Sequence, residues 1–241
     1  MTVTDFKIEY SSVRSVNSSA VPVVIVAAGS SSRMGGIDKI FAQIMGIPVI
    51  VRTMLAFQRN NNVSDIVVVT KKENITEINK LAQDYMITKL LCVTEGGCDR
   101  LSSVLCGLQQ LNDDTVGVMI HDGARPLVSD SLITAMSQAA MCNDCSVCAV
   151  PIKDTLKING DFVKTPDRSK FVAVQTPQSL NYKKYKQLLI DCSDKTIFTD
   201  DASVMEAAGY NTVIIDGQES NIKITTPLDL CLAEAMLKEE Q

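Results

Sequence analysis

Tryptophan is absent from this sequence, and histidine occurs once, at His121. A single imidazole leaves no Cys/His cluster for zinc, and no Ser/His/Asp set is legible that would arm a hydroxyl nucleophile. No apolar run reaches the roughly 18 residues that a membrane-spanning helix needs, so no membrane partner is expected. Lysine and arginine number 23 against 28 aspartate and glutamate, a net charge of −5, and no long basic run occurs. That excludes an extended nucleic-acid-binding face and requires any anionic ligand to be held by local positive groups. Residues 1–20 are polar and serine-rich and lack the apolar centre of a secretion signal. They read as an N-terminal extension, of a composition compatible with disorder, on a cytoplasmic protein. Internal repeats, long linkers and low-complexity tracts are also missing.

Cysteine, by contrast, is abundant: Cys92, Cys98, Cys106, Cys142, Cys145, Cys148, Cys192 and Cys231. Cys142-x-x-Cys145-x-x-Cys148 has the spacing that opens an iron–sulfur ligand run, but the next step of such a run, a cysteine directly before a proline, is Val150 before Pro151. The same residues serve equally as small apolar side chains at a helix end and in the following strand, kept reduced in a cytosol.

Apolar runs ending at Val26, Val69, Val93, Ile120 and Val150 alternate with helix-like segments at 48–58, 74–85, 100–111 and 130–141. Pro48 suits a first helical turn, and Asn74 followed three residues on by Glu77 offers an N-cap. Such alternation predicts a mostly parallel sheet with helices on both faces, whose ligands sit beyond the carboxyl ends of the strands. Residues 151–178 break the pattern with Pro151, Pro166 and Pro177. Short alternating pieces at 155–158 and 161–164 flank Asn159-Gly160, a hairpin turn signal. A protruding β-hairpin arm is expected there, pairing either with another subunit or with its own domain. Helices at 182–191 and 200–208, a strand at 212–215 and a helix at 227–238 complete residues 21–241 as one domain.

The polar clusters fall after strands or in loops. Ala27-Ala28-Gly29, three serines, Arg33 and Lys39 follow the first apolar run. Small residues let backbone N–H groups approach an anion, and the two cations add charge. The spacing is neither Gly-x-x-x-x-Gly-Lys-Ser/Thr nor Gly-x-Gly-x-x-Gly; a plain turn rich in small residues has the same composition. Gly96-Gly97-Cys98-Asp99-Arg100 with Ser103 reads either as a nucleoside-contacting turn or as ordinary capping by Asp99. In His121-Asp122-Gly123-Ala124-Arg125-Pro126, Asp122 is well placed for Mg²⁺, and the planar fork of Arg125 suits a second anion. The alternative is an Asp–Arg pair within a turn, with His121 structural. Asp154-Thr155, Asp167-Arg168 and Gln175-Thr176-Pro177-Gln178 form a further group. In Asn221-Ile222-Lys223-Ile224-Thr225-Thr226-Pro227, Lys223 points either into the ligand crevice or to solvent. A phosphate loop, an acid for a metal and scattered cations, without a protein nucleophile, match nucleotidyl transfer.

In this order, from about residue 22 to residue 238 and together with Thr199-Asp200-Asp201-Ala202-Ser203, these motifs resemble the 2-C-methyl-D-erythritol 4-phosphate cytidylyltransferase family of the non-mevalonate isoprenoid pathway. The resemblance implies a three-layer Rossmann-like nucleotidyltransferase fold and the conversion of CTP and methylerythritol 4-phosphate to the CDP-alcohol and pyrophosphate. It implies charge stabilisation by Arg33, Lys39 and Lys223, and Mg²⁺ at Asp122. Ala27, Ala28, Gly29, Gly97 and Ser103, with Asp122, would hold the nucleotide. Arg125, Thr155, Arg168 and Thr176 would hold the polyol phosphate. A homodimer in which the 151–178 arm crosses to the neighbouring site is also implied. Ribitol-5-phosphate cytidylyltransferase shares the motifs at 176–179 and 221–227, whereas Thr165-Pro166-Asp167-Arg168 favours the methylerythritol family. Four positions depart from the family pattern. Asp38 and Ile40 flank Lys39 where proline and glutamine are usual, Cys98 stands where aspartate is common, and Phe171 replaces a tryptophan.

Overall fold

The structure is a computed structural model that describes residues 20–29, 38–160 and 163–239. Its centre is a seven-stranded sheet in the order β5-β4-β1-β6-β8-β7-β9. The strands are β1 (Val21–Val26), β4 (Val63–Thr70), β5 (Leu90–Glu95), β6 (Gly117–Asp122), β7 (Cys145–Pro151), β8 (Val172–Asn181) and β9 (Thr212–Asp216). β2 (Gln43–Ile44) and β3 (Ile47–Pro48) form a separate small ribbon. β1 pairs in parallel with β4 and β6, β4 with β5, and β7 with β9. Only β8 runs against its neighbours β6 and β7. The parallel register shifts between Val21 and Val23, where Pro22 has no N–H to give the ladder.

Strand alternation divides the core into two halves. Val23 and Ile25 of β1, Ile66 and Val68 of β4 and Met119 of β6 face α1 (Val49–Arg59), α2 (Ile75–Asp84) and α4 (Asp130–Cys142). Val24, Val67, Val69, Val118 and Ile120 face α3 (Arg100–Leu108), α5 (Tyr182–Asp191) and α6 (Asp201–Ala207). Helices therefore cover both faces, as the alternating sequence pattern requires. Each fully buried Val, Leu or Phe contributes about 1.5–3 kcal/mol, against about 1 kcal/mol for a helix cap, so these two faces dominate stability. A third cluster seats α7 (Pro227–Glu239) through Ala233 against Ile44, Val49, Ala124 and Ile224. That contact holds the C-terminal segment over the ends of the strands.

Some expectations are refined. Asn74 makes no capping bond; a 3-10 turn at Lys72–Asn74 runs straight into α2, and the Asn74 amide donates to Asp38 instead. Capping is done by Asp99, Ser129, Asn181 and Asp200. Cys145 and Cys148 enter opposite halves of the core while Cys142 is exposed, so the three thiols do not converge. No metal-competent cluster of three His, Cys, Asp or Glu exists among the described residues. In the arm region, Pro151 and Val172 form the last pair of the β7–β8 ladder, and beyond it Ile158 bridges Lys164. Asp161 and Phe162 of the expected hairpin lie outside the described residues, as do residues 1–19. Residues 172–178 belong to β8, in the interior of the sheet between β6 and β7.

Gly107 marks a close helix–sheet approach: a Cβ there would lie 2.4 Å from Val24 and 2.7 Å from Val69. We expect Gly107→Ala to cost about 1–3 kcal/mol by overpacking. Urea unfolding would show a lower midpoint at an unchanged slope; an unchanged midpoint would mean that α3 can shift freely.

Candidate active site

The carboxyl ends of β1, β5 and β6 open onto a cavity of about 430 Å³. Ala27, Ala28 and Gly29 after β1, Gly97 and Ser103 around the start of α3, Asp122 at the end of β6, Lys39 and Lys223 all line it. The small residues are sterically required. A Cβ on Gly96 would sit 2.7 Å from the Ser103 hydroxyl oxygen and 2.9 Å from Ala28, and one on Gly97 only 2.5 Å from Ser102. Ser103 Oγ accepts from Gly97 N–H at 3.1 Å and donates to the Asp99 carbonyl at 2.8 Å, which fixes the glycine turn. Asp99 caps α3 by accepting from Ser102 N–H at 2.7 Å, so capping and cavity formation share one loop.

Charge is concentrated on Asp122. Its Oδ2 lies 2.8 Å from Lys223 Nζ and 3.5 Å from Arg125 Nε; the second is an electrostatic contact without a hydrogen bond. Burial alone would push this carboxyl up, but Lys223, then Arg100 and Arg125, outweigh it and hold it at about 2. Lys39 carries its ammonium to the backbone at Gly29, 3.9 Å from where a Cβ would stand. Asp38 beside it accepts from Ile40 N–H at 3.4 Å and from Asn74 at 3.3 Å.

Arg125 and Thr176 sit under this site. Arg125 Nη1 donates to the Asn221 carbonyl at 2.7 Å. Thr176 Oγ1 accepts from Asp122 N–H at 3.0 Å and lies 3.1 Å from His121 Nδ1. His121 Nε2 faces the Arg125 carbonyl at 3.2 Å. A carbonyl can only accept, so Nε2 carries the proton; Nδ1 then accepts from the Thr176 hydroxyl. The ring is fully buried, edge-on to Phe57 at 4.9 Å, and burial lowers it to about 4 despite the Arg125 carbonyl and Asp122.

Thr155 and Arg168 are exposed on the arm and do not line the cavity; Arg168 Nη1 donates to the Lys153 carbonyl. Arg33 lies outside the described residues. Some contributors stand in the sequence motifs without a legible role there. Arg100, on the cavity wall, donates Nη2 to the fully buried Asp201 at 2.6 Å, and Asp201 also accepts from Tyr185 at 2.6 Å. Desolvation opposes the Arg100 charge, and Asp201 more than offsets it. Asp201 stands within a quoted motif, but nothing local in the sequence announces a partner about a hundred residues away.

A profile of the 2-C-methyl-D-erythritol 4-phosphate cytidylyltransferase (IspD) family matches residues 21–239. The chain belongs to that family. Curated relatives named 2-C-methyl-D-erythritol 4-phosphate cytidylyltransferase include one from Halalkalibacterium halodurans, 39% identical over 91% of this chain and 97% of its own. Another, from Dehalococcoides mccartyi strain 195, is 41% identical over 91% and 96%. Among solved structures, the 4-diphosphocytidyl-2C-methyl-D-erythritol synthase of Anaerococcus prevotii superposes with a TM-score of 0.80 at 28% identity, covering 91% of this chain and 96% of that one. The Thermus thermophilus cytidylyltransferase gives 0.74 at 28% identity, over 91% and 99%. The match thus spans the whole sheet and every described segment that lines the cavity.

The buried pair of titrating groups sets two pH windows. Below about pH 6.5 an unfolded chain protonates His121, while the folded ring stays neutral down to about 4. The unfolded state then binds more protons, so stability falls across that window, by about 3 kcal/mol. Asp122 acts lower: its contribution is complete above about pH 3.9 and is lost as pH falls toward 2. Urea titrations without divalent cation should show the first decline and its removal in His121→Phe. A decline of equal size in the variant would assign it elsewhere.

Proposed function

We propose that this chain transfers the cytidylyl group of CTP to 2-C-methyl-D-erythritol 4-phosphate, releasing pyrophosphate. The observation that carries this reading is the meeting of Lys39, Lys223 and Asp122 with the small-residue turns at Ala27–Gly29 and Gly97 in one cavity, in a chain of the cytidylyltransferase family. The substrate phosphate oxygen attacks the α-phosphorus of CTP in line. The bond from that phosphorus to the bridging oxygen breaks, and pyrophosphate leaves with the electron pair. The nucleophile comes from the substrate, so the protein supplies position and positive charge.

Lys39 and Lys223, with Arg33 of the loop outside the described residues, spread charge over the transition state. The backbone around Ala27, Ala28, Gly29 and Gly97 receives the nucleotide, with Ser103 bracing Gly97. Asp122 is a single carboxylate, and Mg²⁺ takes one or two carboxylates together with substrate phosphates, so the residue present fits that ion. Bound there, Mg²⁺ would neutralise triphosphate charge. Arg125, Thr155 and Arg168 are assigned to the polyol phosphate, and Thr176, whose hydroxyl is taken up by Asp122 N–H and His121, to the support beneath them. Because Thr155 and Arg168 are exposed on the arm, we assign them to the cavity of a second copy in a homodimer joined through that arm. Eight unpaired cysteines, two of them buried, support a reducing cytoplasmic location.

Pyrophosphate release with CTP and Mg²⁺ should occur with methylerythritol 4-phosphate and not with ribitol 5-phosphate; the reverse would move the chain to the other polyol. Lys39→Ala and Lys223→Ala should each lower kcat about 100-fold; Tm should change little for Lys39→Ala and fall for Lys223→Ala, which takes the nearest cation from Asp122. Near-normal turnover in both would remove the charge-stabilising role. Mixing Lys39→Ala with Arg168→Ala chains should restore activity by forming one intact shared site; mixed dimers that stay inactive would rule sharing out.

A further inference from the structure

The charged groups of the cavity are held by a closed ring of hydrogen bonds drawn from three segments of the chain. Asp122 N–H donates to Thr176 Oγ1 at 3.0 Å, and that hydroxyl donates to His121 Nδ1 at 3.1 Å. His121 Nε2–H donates to the Arg125 carbonyl at 3.2 Å. Arg125 Nη1 donates to the Asn221 carbonyl at 2.7 Å, and Asn221 Nδ2 donates to the Thr176 carbonyl at 2.8 Å, which closes the circuit. Asn221 and His121 are both fully buried, and Thr176 is 5% exposed, so water does not substitute for any of these partners. One further backbone bond, Ile224 N–H to the Ala124 carbonyl at 2.8 Å, fastens the Lys223 segment to the same turn.

The ring has a direction. Donor and acceptor are assigned at every bond of the ring, and the assignment works only with the proton of His121 on Nε2. Reversing the tautomer would oppose two acceptors at Nε2 and the Arg125 carbonyl, and leave Nδ1–H competing with Asp122 N–H for the Thr176 oxygen. Asp122 closes β6, Thr176 lies in β8, and Asn221 stands two residues before Lys223, so a change at His121 reaches all three.

We infer that His121 and Asn221 are positioning residues: through Thr176 and Arg125 they fix Asp122 and Lys223 relative to each other, and so set the geometry in which the transition state is stabilised. Neither residue lines the cavity. The inference deepens the functional reading above and rests on it for its kinetic consequence, whereas its structural part does not. Because nucleotide contacts come mainly from the turns at Ala27–Gly29 and Gly97, loosening the ring should lower kcat and leave the KM for CTP nearly alone.

The chain has one histidine, so selective nitrogen labelling of histidine gives a single imidazole in the nuclear magnetic resonance spectrum. At neutral pH we expect protonated Nε2 and an unprotonated, hydrogen-bonded Nδ1. The opposite tautomer, or an imidazolium, would overturn the ring. This measurement needs no substrate, so it stands apart from any failure of turnover in the unaltered chain. In steady-state kinetics, His121→Phe, which keeps an aromatic ring against Phe57, should lower kcat about 10-fold or more with the CTP KM within about 3-fold. His121→Asn keeps an acceptor toward Thr176 and His121→Gln a donor toward Arg125, so each should recover part of the loss. Adding His121→Phe to Thr176→Val should cost much less than it does alone, because both break the same path. A purely structural residue would lower Tm with kcat unchanged well below the transition, and fully additive losses would equally refute the path. If His121→Phe does not fold, the tautomer and the Asn and Gln variants still decide.

Discussion

A carboxylate that is nearly buried at the end of a parallel strand must be compensated, and the arrangement around Asp122 follows from that constraint. An ionised group taken from water into a protein interior loses several kcal/mol of solvation unless charge and hydrogen bonds replace the water. Asp122 gains Lys223 at 2.8 Å and Arg125 at 3.5 Å, and Arg100 adds its field from α3. These cations come from three distant parts of a chain with a net charge of −5. They converge because the fold brings α3, the turn after β6 and the segment before α7 to the same end of the sheet. A site that takes an anionic nucleotide therefore arises in an acidic protein whose sequence has no long basic run, through one acid that gathers local cations.

The second constraint is steric. Gly96 and Gly97 touch Ser103, Ala28 and Ser102 so closely that any side chain would displace the α3 start, and a Cβ on Gly123 would meet Ala27 at 3.0 Å. Backbone at the ends of β1 and β6 can thus form the cavity wall itself. The stiffness of that wall depends on Ser103 and Asp99, whose polar atoms bond within the loop rather than waiting for a ligand. Ser103 and Thr176 show the same division of labour: hydroxyls that sequence motifs mark as ligand contacts are committed here to holding backbone in place.

Legibility followed the range of the interactions. Elements built on local periodicity, such as α5 at Tyr182–Asp191 and α4 at Asp130–Cys142, stand where their apolar spacing puts them. β8 did not announce itself. Its buried face carries Gln175, Thr176, Gln178 and Ser179, which read as loop because a buried polar strand is justified only by partners elsewhere. Those partners are specific: Gln178 bonds Asp200 and Ala202, Ser179 the Met136 carbonyl, and Thr176 the end of β6. Lys39, Asp122 and Lys223 were legible because loops after parallel strands converge by topology. Asp201, Tyr185 and Asn221 were not, since each gains its meaning from a contact that only the folded chain creates.

The departure at Asp38 fits the same logic. A carboxylate next to Lys39 would seem to oppose a site for triphosphate. Its oxygens, however, accept from Ile40 N–H and from the Asn74 amide, so they build the turn that leads into Ile40, a buried anchor of the core. Asn74 gives up helix capping to make this bond, and a 3-10 turn starts α2 in its place. The acid and the missing cap are therefore one feature. A proline would stiffen such a turn by fixing φ; this chain holds it by hydrogen bonds that reach the start of a neighbouring helix. Lys39 then reaches Gly29 from a turn tied to both the core and α2, which sets its ammonium at the mouth of the cavity.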